Sequence, residues 1–291
     1  MANARKNSAQ RESFRHTVLG MYYYRARYYV QRGVIMNERI YIYDGTFEGL
    51  LTCVYHHYYT APAAGICLVE NFQPSFLYAH QTVETDEEKA ARVYDAISSK
   101  ISDYDLRCVY RAFLSCDPDK EMVILRYLVK GFKLGPRISF LHGDSVVYDL
   151  QNILKKVSRE TERMLQFVRF SVVDTDDNKE LLYAEVEPDH DVIQLIAGHF
   201  TDRYRYQPFI IRDVKRDKAL IAYDKQWYIS SFTADEVPAF ARDEQQYRRL
   251  WRTYFDHIAI KERTNPRCQR NYMPDRYWKH LTEVTDTTRI V

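Results

Sequence analysis

The sequence predicts an α+β protein, mainly helical with a small antiparallel sheet in the second half. Two patterns predict this class. Between about residues 86 and 170, apolar side chains recur at steps of three and four residues, which is the spacing of one helix face. After residue 174, short segments alternate as strands do and are separated by turn residues. With 291 residues and 46% hydrophobic content, the chain is long enough to bury a substantial core.

The first predicted strand is Arg39–Asp44, which alternates and ends at the turn dipeptide Asp44-Gly45. A helix follows, with Asp44 or Thr46 as its N-cap. Its apolar face is formed by side chains at helical spacing, namely Phe47, Leu50, Leu51, Val54 and Tyr58. Residues 61–74 contain Pro and Gly and are interpreted as a connection.

Four more helices are predicted before residue 171. Their ranges are Asp86–Lys100, Asp103–Leu114, Asp119–Phe132 and Asp144–Phe170. Acidic residues open the first of them, which is favourable at a helix N-terminus, and Gly131 with Gly135-Pro136 ends the third. The last is the longest because its apolar stripe is continuous. That stripe comprises Val146, Leu150, Ile153, Val157, Met164 and Val168.

The remaining chain changes to the pattern of strands and turns. A polar turn at Asp174–Lys179 precedes a strand at Leu181–Glu187 and a helix from Pro188-Asp189 to about Tyr206. Three strands of a small antiparallel sheet are predicted at Phe209–Val214, Ala219–Tyr223 and Trp227–Phe232. The final helix, Asp243–Lys261, is expected to direct its apolar face inward. That face consists of Tyr247, Leu250, Trp251, Tyr254 and Ile258.

Residues 36–291 are predicted to form a single α+β domain. Within it, residues 36–173 are mostly helical, residues 174–240 contain the sheet, and residues 241–291 hold a helix and a basic-aromatic strip. Residues 1–35 differ, because they carry seven Lys or Arg and one acid. They are either a basic Tyr/Arg-rich arm that grips nucleic acid or an over-extended gene start. We favour the second interpretation, with Met36 as the natural start.

Several common chemistries lack their sequence signatures. The chain has no GxxxxGK[ST], GxGxxG, GxSxG or HExxH motif, which weighs against the usual kinases and hydrolases. It has no CxxxCxxC triplet for an iron–sulfur cluster, and no cofactor is predicted. The five cysteines form no CxxC pair and follow no secretory leader, which favours reduced thiols in the cytoplasm. No apolar run approaches ~20 residues, so no membrane partner is predicted.

The strongest functional signal is the basic-aromatic strip, which we define as residues 260–281. Cations of this density suit a phosphate backbone, and exposed rings suit unstacked bases. The residues predicted to bind nucleic acid are Arg263, Arg267, Arg270, Tyr272, Arg276, Tyr277, Trp278 and Lys279. The alternative is a solvated helix end and tail that packs through Tyr277 and Trp278. The sequence leaves both interpretations open.

A second cluster has the residue types of an active site. Asp189, His190, His199 and Arg203 are the candidates for an enzyme acting on a nucleotide or a modified base. However, nine residues separate the two histidines, so they point to opposite sides of one helix. We therefore favour Asp189 as an N-cap, with Asp191 stabilised by the helix dipole. His199 and Arg203 share a helix face and could hold a phosphate, or His199 is hydrogen-bonded under the sheet.

Two smaller groups of polar residues have plainer explanations than a functional site. Cys53 and His57 are four residues apart and could supply two metal ligands, but no motif supplies the others, so no metal site is predicted. Asp213 and Arg216 fall on the predicted antiparallel strands and are interpreted as an ordinary hairpin ion pair, with Tyr223 nearby on the same meander.

Four long segments carry a resemblance to a known family. They are YIYDGTFEGLLTCVY, YAEVEPDHDVIQLIAGHFTDRY, FIIRDVKRDKALIAYD and NPRCQRNYMPDRYWKHLTE. In this order they resemble an uncharacterised bacterial family of DNA-metabolism or DNA-repair proteins with domain of unknown function 4130. The likeness spans about Met36 to Glu283. Members of that family are encoded beside a radical S-adenosylmethionine (radical-SAM) DNA-repair protein or are fused to a uracil-DNA glycosylase-like domain.

The resemblance implies a role in DNA repair but carries over no catalytic residue, because the family has no agreed active site. We therefore expect a cytoplasmic accessory protein that binds DNA, single-stranded or distorted, and works with a radical-SAM partner. Two alternatives stay open. One is the enzyme with the four candidate residues above, and the other is a protein-interaction module that docks through the aromatic strip.

Overall fold

The fold comes from a computed structural model that describes residues 38–74, 76–174, 180–237, 239–241, 243–258, 261–263 and 265–284. Residues 1–35, the predicted arm or over-extended start, lie outside the described residues. So do residues 175–179 of the predicted polar turn. The chain is α+β, as predicted, with helices through most of its length and two separate sheets. No helix among the described residues has the length and apolar character needed to cross a bilayer.

Eight α-helices are present in the described residues. They are α1 (Phe47–Tyr59), α2 (Glu87–Lys100), α3 (Asp103–Phe113), α4 (Lys120–Leu134), α5 (Ser145–Phe167), α6 (Ile193–Arg203), α7 (Glu244–Ile258) and α8 (Pro266–Tyr272). Eight strands accompany them. They are β1 (Arg39–Tyr43), β2 (Ala63–Leu68), β3 (Ala79–Thr82), β4 (Ser171–Asp174), β5 (Glu180–Val186), β6 (Phe209–Asp213), β7 (Lys218–Tyr223) and β8 (Gln226–Ser231).

The chain divides into two compact units. The first comprises the residues up to Arg107 together with Glu121–His142, and the second comprises Cys108–Lys120 together with the residues from Gly143 onward. The first unit holds β1 to β3, and the second holds β4 to β8. Residues 108–120 and α5 therefore belong to the unit with the larger sheet.

The first unit contains a three-stranded parallel sheet in the order β2-β1-β3. The prediction of β1 is confirmed, but the interpretation of residues 61–74 as a connection was wrong because β2 lies there. Strands β2 and β3, which flank β1, are short, and their sequences do not alternate clearly between apolar and polar residues. They are fixed by pairing with β1, whose Tyr41 and Tyr43 are buried. The Tyr41 hydroxyl donates to the Ala61 carbonyl at 2.7 Å, which anchors the start of β2.

Of the two candidates predicted for the N-cap of α1, Thr46 is confirmed, and so are the helices predicted in this region. Thr46 is the N-cap of α1, since its hydroxyl oxygen accepts the Gly49 N–H at 2.9 Å. Asp44 accepts the Thr46 N–H at 2.9 Å and, through its other oxygen, the Thr85 hydroxyl at 2.8 Å. Asp86 caps α2 by accepting the Lys89 N–H at 3.0 Å. The cap residues thus fix where β1 ends and both helices begin.

The second unit is built on a five-stranded sheet in the order β4-β5-β6-β7-β8. The helix predicted at Asp144–Phe170 is present as α5, and Asp144 is its N-cap. It ends at Phe167, not Phe170, because β4 begins at Ser171. The strands β5 to β8 match the prediction within one or two residues. Asp224 and Lys225 join β7 to β8 in a two-residue turn with φ of 46° and 63°, the left-handed geometry of a type I′ hairpin.

This sheet is mixed, so the expectation of a wholly antiparallel sheet was wrong for one pair. Strands β5 and β6 are parallel, with α6 in the connection between them. A parallel pair needs such a crossover, whereas the antiparallel pairs β6-β7 and β7-β8 are joined by short turns. Phe200 of α6 packs its ring against Phe209 of β6 and Phe170 in edge-to-face contacts. The helix therefore covers one face of the sheet and completes the core.

Helix α7 contradicts the prediction about its inward face. The five residues Tyr247, Leu250, Trp251, Tyr254 and Ile258 are between 41% and 64% exposed. The helix is held instead by polar side chains four residues apart. Glu244 accepts the Val172 N–H at 2.9 Å, and Arg248 donates to the Ser171 hydroxyl at 2.7 Å. These bonds to β4 turn the polar edge of α7 inward and leave the apolar face in solvent.

The Thr46 cap gives a first prediction. Thr46→Ala should lower the free energy of unfolding by about 1 kcal/mol, because the Gly49 N–H loses its acceptor. Thr46→Ser keeps the hydroxyl and should stay within about 0.5 kcal/mol of wild type. Urea unfolding followed by far-UV circular dichroism measures both variants. Equal stability of the Ala variant and wild type would contradict the assigned cap.

Candidate functional site

The densest polar site in the second unit is centred on Glu160 of α5. Its side chain is only 2% exposed, although it carries a carboxylate. One oxygen accepts the Tyr277 hydroxyl at 2.6 Å, the Asp189 N–H at 3.0 Å and the Arg276 guanidinium at 3.1 Å. The other oxygen accepts the His190 N–H at 2.6 Å. The carboxylate therefore joins the loop before α6 to the turn Asp275–His280 near the end of the described chain.

Three of these four donors favour the ionised form of Glu160. Burial alone would raise its pKa, but the Tyr277 hydroxyl and the two backbone N–H groups stabilise the charged form and bring the pKa below its ordinary value. The same contact has the opposite effect on Tyr277. Burial, together with the neighbouring carboxylate, raises the pKa of that phenol to about 12. At neutral pH the pair is a charged acceptor and a neutral donor.

A second carboxylate reaches the same guanidinium from the surface. Asp189 lies 3.1 Å from Arg276 and 3.6 Å from the amine of Lys215. Burial would lower the pKa of Arg276, but the contacts with Tyr277, Asp189 and Glu160 raise it. Arg276 is thus held charged between one buried and one exposed carboxylate. The favoured role of Asp189 as an N-cap was wrong, because α6 begins only at Ile193.

The loop Pro188–Asp189 is also fixed from the hairpin side. Arg216 forms an ion pair with the fully buried Asp213 at 2.7 Å and donates to the Pro188 carbonyl at 3.1 Å. The predicted hairpin ion pair is therefore confirmed. Burial raises the pKa of Asp213 despite the neighbouring guanidinium. Asp191 is paired with Lys218 at 2.6 Å, so a lysine of β7 contacts it directly.

Six charged residues around these contacts line an open cavity of about 280 Å³. They are Glu187, Asp189, Lys215, Asp275, Arg276 and Lys279. Three are acidic and three are basic, and Lys279 is paired with Glu187. A cavity with balanced charge and internal ion pairs attracts neither anions nor cations strongly. We call Glu160 and the ionic contacts around it the clamp. Its cations hold the loop before α6 and the terminal turn Asp275–His280 together.

The four candidate catalytic residues have different surroundings. Of the four, Asp189 lines the cavity described above. His190 is buried, its Nδ1 accepts the Cys116 N–H at 3.1 Å, and burial lowers its pKa, so its ring is neutral near pH 7. His199 and Arg203 lie exposed on α6 and contact the rings of Phe200 and Tyr204. The expectation that His199 is hydrogen-bonded under the sheet was therefore wrong.

The second half of the basic-aromatic strip, from Arg276 to Lys279, packs through Tyr277 and Trp278. This agrees with the alternative interpretation of the strip as a packed tail. Tyr277 is 3% exposed, so its ring is not accessible to a base. Trp278 is half-buried, and its indole N–H donates to the Met273 carbonyl at 2.8 Å. Arg276 forms ion pairs with Glu160 and Asp189, and Lys279 forms one with Glu187. These four predicted nucleic-acid contacts therefore have structural partners.

The first half of the strip is arranged differently. Arg263, Arg267, Arg270 and Tyr272 are exposed, and Tyr272 is 77% exposed. Arg270 is 3.6 Å from Asp275 in an ion pair that is open to solvent on both sides. Among the described residues, no acidic partner is present for Arg263 or Arg267. Asn265 caps α8 by accepting the Cys268 N–H at 3.0 Å, which fixes Arg267 and Arg270 on one short helix.

No group of three or more potential metal-binding side chains occurs among the residues that the structure describes. Cys53 is fully buried, and burial raises its thiol pKa to about 12. His57 uses Nδ1 to accept the Ala63 N–H at 2.9 Å. Both side chains therefore serve the packing of the first unit.

Glu160 is the central residue that the sequence analysis missed. A signal was available, because the acid interrupts an apolar stripe of α5 between Val157 and Met164, at steps of three and four residues. Such a position predicts a buried carboxylate that must find donors elsewhere in the fold. Its partners lie about 30 and 116 residues away along the chain, so their identity was not readable from local spacing.

Together, the fold and the site define an α+β protein with a mixed sheet in its second unit. In that unit a buried carboxylate and its ionic contacts join the loop before α6 to the terminal turn. Comparison with known proteins adds the family. The model of the domain of unknown function DUF4130 matches residues 118–283, which is more than half of the chain, so this protein belongs to the DUF4130 family. The matched region includes Glu160, the loop before α6 and the strip. No curated protein matches the sequence.

The clamp gives a second prediction. Glu160→Gln keeps the shape of the side chain but removes its charge, so the free energy of unfolding at pH 7 should fall by about 3 kcal/mol. Because the folded-state pKa is lowered, the carboxylate's contribution is complete above the ordinary value of 4.5 and is lost as the pH falls through the folded-state value. The difference between wild type and variant should therefore shrink in acid.

Urea unfolding at several pH values between about 7 and 3 measures this difference. Glu162→Gln is the matched control, since Glu162 is exposed on the same helix. Its substitution should change the free energy of unfolding by less than about 0.5 kcal/mol. A Glu160→Gln variant as stable as this control at pH 7 would show that the clamp does not stabilise the fold.

Proposed function

We propose that this protein is an accessory protein of DNA metabolism or repair that binds DNA through Arg263, Arg267, Arg270 and Tyr272. The observation that carries the proposal is the exposure of these arginines, for which the described part of the chain supplies no buried acidic partner. The link to DNA repair rests on the family resemblance, which also suggests a radical-SAM protein as a partner. The downstream residues Arg276 to Lys279 are left out of the binding surface, because the clamp occupies them.

Physical chemistry supports this smaller surface. No described residue forms an ion pair with Arg263 or Arg267, so a phosphate can pair with either arginine without displacing a described carboxylate. The exposed contact between Arg270 and Asp275 is worth at most about 1 kcal/mol. The ring of Tyr272 is free on most of its surface, and a stacked base contributes about 1–3 kcal/mol. A side chain that stacks on bases favours single-stranded or distorted DNA, in which bases are accessible.

The third prediction concerns the salt dependence of binding. The triple variant Arg263→Gln, Arg267→Gln and Arg270→Gln should bind a single-stranded oligonucleotide more weakly than wild type. The slope of log K against log salt should become shallower by about 2, because up to three phosphate contacts with a single strand are lost. Fluorescence anisotropy with a labelled oligonucleotide measures both quantities.

The matched control replaces three other exposed cations of the second unit, as Lys155→Gln, Arg159→Gln and Arg205→Gln. It removes the same net charge and should change the slope by less than about 1, since only the long-range field is reduced. Salt-insensitive binding by wild type, or equal losses in both triple variants, would refute the assigned surface.

A protein-interaction module is the second candidate, and the exposed face of α7 favours it. That face consists of Tyr247, Leu250, Trp251, Tyr254 and Ile258, all large and all at least 41% exposed. Monomeric proteins rarely leave so many neighbouring apolar side chains in solvent unless a partner covers them. Under the resemblance, that partner is the radical-SAM protein. An enzyme built on Asp189, His190, His199 and Arg203 has less support, because these residues do not share one pocket. Asp189 lines the cavity, His190 is buried, and the other two are exposed on α6.

The fourth prediction tests this face. The double variant Leu250→Ser and Tyr254→Ser should lose most copurification with a coexpressed radical-SAM protein encoded beside a member of the family. Nuclease treatment removes binding that is mediated by DNA. The control Gln245→Ser and Gln246→Ser changes exposed polar residues of the same helix and should keep the complex. If wild type shows no complex after nuclease treatment, this candidate function fails.

A further inference from the structure

The first unit contains a cavity of about 420 Å³ that the proposed function does not use. It lies between α1, α2 and the end of α4, and all of its lining residues belong to this unit. The aromatic and charged residues that line it are Tyr55, Tyr58, Tyr59, Arg92, Lys100 and Phe132. Small-molecule sites usually occupy about 300–1,000 Å³, so the cavity has the size of a small ligand.

The cavity has a rigid apolar floor and aromatic walls. Val54 is fully buried and Val93 nearly so, which fixes the floor in the core of the unit. The rings of Tyr55 and Tyr59 are stacked with centroids 4.3 Å apart. Tyr58 and Phe132 meet edge to face with centroids 5.9 Å apart. Flat ring faces of this kind match a planar ligand better than a branched aliphatic one.

The charge at the cavity is positive. Arg92 lies over the ring of Tyr55 at 5.6 Å, and Lys100 lies at the end of the same helix. No carboxylate lines the cavity, and neither cation forms an ion pair among the described residues. Both side chains are exposed, so they can turn toward a ligand at little cost. The cavity therefore presents two available cations beside a group of tyrosine and phenylalanine rings.

We propose that this cavity is a binding site for one nucleotide. The base packs against the rings of Tyr58, Tyr59 and Phe132, and the phosphate pairs with Arg92 and Lys100. A planar ring joined to an anionic group satisfies both halves of the site. A neutral aromatic ligand would leave the cations unpaired, and an inorganic anion would leave the rings uncovered. The nucleotide can be a free mononucleotide or one nucleotide of a single strand.

The site is independent of the DNA-binding surface proposed above. It lies in the other unit and shares no residue with Arg263, Arg267, Arg270 or Tyr272. The two proposals can therefore fail separately. The triple variant of those three arginines should keep its affinity for a mononucleotide, while changes in the cavity should leave the salt slope for long single strands largely intact.

The experiment titrates the full-length protein with deoxyadenosine monophosphate, deoxyadenosine and inorganic phosphate by isothermal calorimetry. Deoxyadenosine monophosphate should bind at least tenfold more tightly than either fragment, because only it uses the rings and the cations together. The variant Arg92→Gln with Lys100→Gln should weaken its binding at least tenfold. Tyr59→Ala should weaken the nucleotide and the nucleoside alike, because it removes a ring.

The control Arg107→Gln with Lys133→Gln removes two exposed cations of the same unit outside the cavity and should change affinity less than twofold. A short deoxyadenosine oligonucleotide, titrated into the triple-arginine variant, distinguishes the two possible ligands, namely a free mononucleotide and one nucleotide of a single strand. Tighter binding of the oligonucleotide than of the mononucleotide assigns the site to a strand, and the reverse assigns it to a free nucleotide. The proposal is overturned if deoxyadenosine monophosphate does not bind, or binds equally to the cavity variant and the control.

Discussion

The arrangement of the second unit depends on one buried charge, the carboxylate of Glu160. A carboxylate that loses its water is costly unless several donors replace that water. Here the donors are two backbone N–H groups, the Tyr277 hydroxyl and the Arg276 guanidinium. Because all four must be in place together, the loop before α6 and the terminal turn are held against α5. The clamp therefore links three segments that are far apart along the chain.

This constraint also decides which charged groups are available for function. The cations nearest to the clamp, Arg276, Lys279 and Lys215, are engaged with acids and contribute to the fold. The cations further upstream, Arg263 and Arg267, are exposed and outside the clamp. A count of basic residues along the sequence does not distinguish the cations near the clamp from those further upstream. Their partners differ, and so the proposed nucleic-acid surface is confined to the part of the strip that precedes the terminal turn.

In the first unit, too, one cation is paired with an acid and a neighbouring cation is not. Lys89 and Arg92 lie on one helix and both approach the ring of Tyr55. Lys89 is paired with the cap residue Asp86 at 2.7 Å, whereas Arg92 has no acidic partner among the described residues. The first cation stabilises a helix start, and the second remains available beside an aromatic cavity. Ion-pair partners, rather than residue type, separate the structural cations from the candidate ligand-binding ones.

The sequence by itself determined the elements that depend on neighbours a few residues apart. Helix spacing, the cap of α1 at Asp44 or Thr46, the helix starts at Asp86 and Asp144, and the turn between β7 and β8 were predicted, because the contacts that fix them are local. Only the tertiary structure decided the parallel pairing of β5 with β6, the outward face of α7 and the partners of Glu160. Each of these depends on contacts between distant segments, and spacing along the chain carries no record of which distant donors meet a given acceptor.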